Sequence, residues 1–325
     1  MGKIYLTITF LVGGLFLGIL AQRIAKGRVA RDLPEISRFL KEVCFVYLGP
    51  VTLISIFWIL KIPDIKLALL PFLGVLGVAG GGFCGFQAAR ILGLPRKQTG
   101  AMIISGGFSN IGMFAGFICF VIFGEIGYGL VSLYKLLEEF TLVVVGCPMA
   151  AYFGNTTQQK SQTRIRLHSL LRDKYFMIPI LSLLSGALLN MTGVTRPPIF
   201  EMVNAVIIPL MSFILLFAVG LTLKVKAIGS HYQELAAIAT IKFGIIPILV
   251  LSVSWLLGYQ HILHGLLFRL ISIIAVMPVG FNALIISSLY GLDEELANSC
   301  WVVTTGALLV ILPLTFYAIH FLNIG

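Results

Sequence analysis

Ser105-Gly106-Gly107-Phe108-Ser109-Asn110-Ile111-Gly112 interrupts an apolar stretch spanning residues 99–124, and Met277-Pro278-Val279-Gly280-Phe281-Asn282 interrupts another at 265–290. Gly106, Gly107 and Gly112 free the first backbone of side-chain constraint. Pro278 removes a donor from the second and clashes with the turn before it. Hydrocarbon offers irregular backbone no water, so a helix breaks at membrane depth only where protein or an aqueous cavity covers the break. Paired breaks in corresponding positions of two halves point to a transporter's binding site. Either break alone reads equally well as a kink with glycine-mediated close packing. The matched pair favours a site.

The surrounding composition supports the membrane setting. Hydrophobic residues make up 58% of the chain and charged residues 11%, with a mean hydropathy of +1.02. A soluble chain carries roughly a quarter charged residues, so this one must be solvated mostly by lipid. The net charge of +10 does not suggest nucleic acid. Its basic residues cluster in short segments between apolar runs, as in membrane topology, and not as a patch on a soluble domain.

At about 20 residues per crossing, ten spans are expected: 3–22, 43–61, 67–91, 99–124, 128–153, 175–194, 202–223, 235–258, 265–290 and 294–321. The polar, basic stretch 154–174 divides them into repeats at 1–153 and 175–325. Five spans per half invert the second half relative to the first. Asn110 and Asn282 lie 172 positions apart, close to the offset between spans one and six. The expected fold is an all-α polytopic membrane protein of ten transmembrane helices in two inverted five-helix repeats, with spans four and nine broken and crossing.

Sixteen Lys and Arg residues lie in alternate connections on one side and four (Lys3, Lys61, Lys66, Arg196) on the other. The crowded side is therefore cytoplasmic, with linker 154–174, and both termini lie outside. The first run has its positive charges after it and no evident cleavage site, so it reads as a membrane span and not a cleaved leader.

If both helices open, their second halves present unpaired N–H groups and a partial positive charge at the midplane, suited to a carboxylate. The candidate substrate residues are Ser109, Asn110, Gly112, Pro278, Gly280 and Asn282. Lys135, Glu138 and Glu139 share one face of span five. One lysine neutralises one carboxylate, leaving the other to be protonated or paired elsewhere. Glu138 or Glu139 is thus a candidate proton carrier, against the alternative of a structural ion pair. Lys242 in span eight is a candidate partner for that carboxylate or for an anion. Snorkelling to the membrane edge is the simpler account of it, as of Arg269.

Other features read as structural. Asp293-Glu294-Glu295 suits a helix N-terminus, and Gly77, Gly80, Gly81, Gly82 and Gly85 form a face for close packing. The five scattered cysteines suit apolar packing. No nucleotide loop, metal motif or nucleophile elbow occurs. Transport is therefore expected to run on gradients or to be facilitated, with no enzyme activity and no cofactor.

With these residues identified, the chain resembles the auxin efflux carrier family of permeases, whose bacterial members are labelled malate or malonate permeases. Asn110-Ile111-Gly112-Met113-Phe114 resembles the family's first crossover. Met277-Pro278-Val279-Gly280-Phe281-Asn282-Ala283 and Tyr290-Gly291-Leu292-Asp293 resemble the second. Gly186-Ala187-Leu188-Leu189-Asn190 through Pro197-Pro198, and Phe217-Ala218-Val219-Gly220-Leu221, also fit. Ala115 and Phe117 stand where the family pattern has Gly and Pro, so opening of the first break rests on glycine alone. The resemblance implies an inverted repeat like that of the bile-acid/sodium symporters, a mobile scaffold domain, and a crossover domain that carries small organic anions. The implied setting is the inner cell membrane, with the lipid bilayer and the organic anion as partners and a homodimer as a possible assembly. The alternative is sodium coupling as in the bile-acid symporters. No acidic residue lies within either break, which weakens it.

Overall fold

The computed structural model describes residues 2–25, 27–61, 64–154, 174–223 and 231–321. Linker 154–174 lies outside the described residues apart from Gly154 and Lys174. Among the described residues the chain is helical, and its one departure toward strand geometry is an antiparallel bridge between Ser109 and Val279. Among the described residues six helices are long and apolar enough to cross a membrane: Arg31–Ile59, Ile65–Ile91, Ile111–Phe153, Ile199–Gly220, Tyr232–Leu256 and Glu294–Ile319. Thr9–Ile24, Met177–Met191, Leu266–Ala275 and Phe281–Tyr290 are shorter apolar helices.

The chain forms two compact units, each drawing on both halves of the sequence. One comprises Met1–Pro63, Gly112–Ser132 and Arg166–Leu223. It contains α1 (Gly2–Ile24), α2 (Gly27–Glu42), α3 (Gly49–Ile59), most of α6 (Gly116–Lys135), α9 (Lys174–Met191) and α10 (Ile199–Gly220). Close packing here depends on missing side chains. A Cβ on Gly18 of α1 would stand 2.2 Å from the Phe217 carbonyl oxygen of α10, and one on Gly186 of α9 would stand 2.6 Å from that of Ile54. Such contacts let backbones approach where lipid supplies no hydrophobic drive between helices.

The second unit comprises Asp64–Ile111, Leu133–Ile165 and Lys224–Gly325. It holds α4 (Leu70–Ile91), α5 (Arg96–Gly107), α7 (Glu138–Thr141), α8 (Cys147–Phe153), α11 (Tyr232–Thr240), α12 (Ile246–Leu256), α13 (Leu266–Ala275), α14 (Phe281–Tyr290) and α15 (Glu294–Phe321). The expected glycine face of α4 packs on α5. A Cβ on Gly81 would lie 2.1 Å from the Gly106 carbonyl oxygen, and one on Gly85 would lie 2.4 Å from that of Met102. The Asp293 carboxylate accepts from the Leu296 amide at 2.9 Å, so the acidic cluster does open α15 as a cap.

Three π-helical stretches, Val43–Leu48, Leu142–Gly146 and Ile241–Ile245, each end two residues before a proline: Pro50, Pro148 and Pro247. A proline inside a helix donates nothing to the preceding turn and crowds its carbonyl. The turn widens by one residue, which re-aims the side chains it carries.

Candidate functional site

Both expected breaks are open, and they meet within the second unit. α5 stops at Gly107, and Phe108 turns extended (φ −89°, ψ 132°). α13 stops at Ala275, and α14 starts only after Gly280, itself extended (φ −72°, ψ 147°). The extended segments lie antiparallel, so each answers the other's backbone. The Asn110 amide donates to the Pro278 carbonyl at 2.8 Å, and the Gly280 amide donates to the Phe108 carbonyl at 2.9 Å. The Val279 amide donates to the Thr304 hydroxyl of α15 at 3.1 Å. Buried backbone must find partners somewhere, and this pairing supplies them.

Opening of the first break without a proline has a steric basis as well. Gly106 and Gly107 lie against α4, where a Cβ on Gly106 would stand 2.4 Å from the Gly81 carbonyl oxygen. At Gly280 a Cβ would lie 2.9 Å from the Ser109 carbonyl oxygen, so glycine permits the two segments to touch.

Lys242 is a correction to the snorkelling account. It is 1% exposed, and its Nζ donates to the Phe108 carbonyl at 3.0 Å and to the Ser109 Oγ at 2.9 Å. The π-helical stretch Ile241–Ile245 carries it, and the oxygens of the opened α5 end hold it inside. Arg269 instead turns back, donating to the His264 carbonyl at 2.7 Å.

Ser109, Asn110, Pro278, Gly280 and Lys242 therefore come together. Asn110 is 4% exposed, and its Nδ2 has no hydrogen-bond partner among the described residues. A buried donor left unpaired costs free energy, so it is a handle for an acceptor. Asn282 is half-buried in the first turn of α14, whose start has no side-chain cap. Gly112 is exposed and belongs to the stretch assigned to the other unit.

The charged trio of span five separates. α6 ends at Lys135 and α7 begins at Glu138, with a turn between them closed by the Leu136 amide donating to the Leu133 carbonyl. Lys135 pairs with Glu139 at 2.6 Å, and both are partly exposed. Glu138 is 2% exposed, and neither carboxylate oxygen has a hydrogen-bond partner among the described residues. It interacts electrostatically with Lys135, Glu139 and Lys242.

The first unit holds a polar cluster that the sequence did not reveal. Inside α6 the backbone leaves helical geometry at Gly124 (φ 67°, ψ −155°), a left-handed φ that suits glycine. Glu125, the next residue, takes a two-pronged ion pair from Arg196, with Nη1 to Oε1 at 2.9 Å and Nη2 to Oε2 at 2.8 Å. Arg196 also donates to the Ser55 carbonyl at 3.3 Å, and Asn204 Nδ2 donates to both Glu125 and the Ser55 hydroxyl. Only a charge beside a glycine between two apolar runs signals Glu125 in the sequence, which is the pattern of an ordinary loop.

A family model described as membrane transport protein matches residues 40–318. An uncharacterized transporter of Methanothermobacter thermautotrophicus is 21% identical over 251 residues, covering 76% of this chain and 77% of the relative.

Proposed function

Because the chain belongs to the membrane transport protein family, the auxin efflux carrier family its motifs resemble, we propose that it is a secondary transporter of small organic anions that binds them at the crossover. The unpartnered Asn110 Nδ2, beside two helix breaks whose backbones satisfy each other, carries this reading. A carboxylate placed there would accept from the side-chain amides of Asn110 and Asn282 at the start of α14. The helix dipole favours negative charge at that end. Ser109, Pro278 and Gly280 hold the chain open, and Gly112 gives the next stretch freedom to follow.

In this reading Glu138 carries a proton. It lies buried without a hydrogen-bond partner among the described residues and gains an interaction with Lys242 when it ionises. Lys135 and Glu139 neutralise each other beside it. Ten spans in inverted five-helix repeats, with both termini outside the cell membrane, let the crossover face each side in turn.

Uptake of radiolabelled dicarboxylates into proteoliposomes tests the proposal. Wild-type protein takes up at least one such anion, and Asn110→Ala lowers its rate by about tenfold or more, the loss of one well-placed hydrogen bond to a charge, with an unchanged unfolding midpoint. Absence of uptake of any organic anion under pH or sodium gradients would overturn it.

A further inference from the structure

We propose that Lys242 is a tethered cation of the crossover, standing where a coupling sodium ion would otherwise bind, so that transport needs no bound alkali ion. The inference rests on reading the crossover as the transport site. α5 ends at Gly107 and Phe108 just beyond it is extended, so the oxygens that follow the helix stand outside its hydrogen-bond ladder, at the end where partial negative charge gathers. In secondary transporters, opened carbonyls and half-helix C-terminal ends of this kind coordinate sodium.

Here the Phe108 carbonyl and the Ser109 hydroxyl both hold the Lys242 nitrogen, at 3.0 and 2.9 Å. One carbonyl and one hydroxyl oxygen are ligands an alkali ion would take. A lysine ammonium is likewise a compact point charge with three donors. The residue is 1% exposed, so its ammonium is held against these oxygens away from solvent. Charge balance is local, because Glu138 interacts with Lys242 and has no hydrogen-bonded counter-ion among the described residues.

Removing the side chain should therefore vacate a site that a free cation fills. The test compares unfolding midpoints of full-length purified protein in choline, sodium, methylammonium and n-propylammonium chlorides at equal ionic strength. Wild type keeps one midpoint in all four. Lys242→Ala unfolds lower in choline and recovers by ~3 °C or more, saturably, in sodium or an alkylammonium. A folded Lys242→Ala with the same midpoint in all salts overturns the proposal, as does wild type stabilised by sodium over choline.

Should Lys242→Ala fail to fold, Lys242→Arg keeps the charge. It then stays insensitive to sodium, and a sodium-stabilised Lys242→Arg overturns the idea equally. Anion uptake by wild type in sodium-free buffer tests the transport reading separately. Cation rescue of Lys242→Ala without uptake in any condition would sink that reading and leave the tethered cation standing.

Discussion

Glu138 and Glu139 adjoin in sequence and differ in environment. Glu139 shares a partly exposed pair with Lys135, whereas Glu138 is enclosed with neither oxygen bonded. Exposed pairs contribute about 0–1 kcal/mol, so Glu139→Gln should leave unfolding within that range. Glu138→Gln removes a buried charge that lacks a hydrogen-bonded partner, which is costly to bury. It also takes the nearby carboxylate away from buried Lys242, so the variant should unfold below wild type. Its uptake should no longer respond to an imposed pH gradient, while counterflow exchange of labelled anion persists. Loss of exchange together with gradient uptake would remove Glu138 from the proton role. At Glu125–Arg196 the side chains are 14% and 8% exposed, and breaking a buried pair costs about 3–5 kcal/mol. Arg196→Met should therefore lower stability in chemical denaturation by about that much, and a change under 1 kcal/mol would refute the estimate. The spare carboxylate near Lys135 was legible because its neighbours are local in sequence. The Arg196–Glu125 pair was not, because its partners lie 71 positions apart and neither position records the other.

At the scale of elements, the two interruptions were legible from Gly106, Gly107, Pro278 and Gly280, since backbone freedom and a missing donor are written residue by residue. Their register was hidden. Nothing local states that Ser109 faces Val279, or that Thr304 of α15 answers the Val279 amide. The close contact of α4 with α5 was half visible, as a row of glycines without its mate. Gly81→Ala drives a methyl into the Gly106 carbonyl, which sits only 2.1 Å from its place. Overpacking of this kind costs about 1–3 kcal/mol, read as a lower unfolding midpoint in detergent. Gly244, with nothing within 4 Å of a Cβ, serves as the control, and its alanine variant should lose less. Lys242 was misread for an element-level reason. Snorkelling was the simpler reading, but the π-helical turn before Pro247 and the oxygens of Phe108 and Ser109 hold it inside.

For the whole molecule, composition alone decided the class, because so few charges cannot cover a globular surface. The division into two compact units, each mixing segments from both halves, is not a property any short window contains. The asymmetry of Lys and Arg between alternate connections predicts an orientation that can be tested directly. In a cysteine-free background, Lys61→Cys should react with an impermeant maleimide on intact cells, and Lys97→Cys only after permeabilisation. The reverse labelling pattern would invert that orientation.

The antiparallel bridge has a consequence for dynamics. Segments outside regular helix usually surrender their amide protons to solvent quickly, as the low-stability end of a fold. The amides of Asn110, Val279 and Gly280 are all buried and engaged, so they should take up deuterium as slowly as the helical turns flanking them. The most irregular stretch of this protein would then rank among its most rigid.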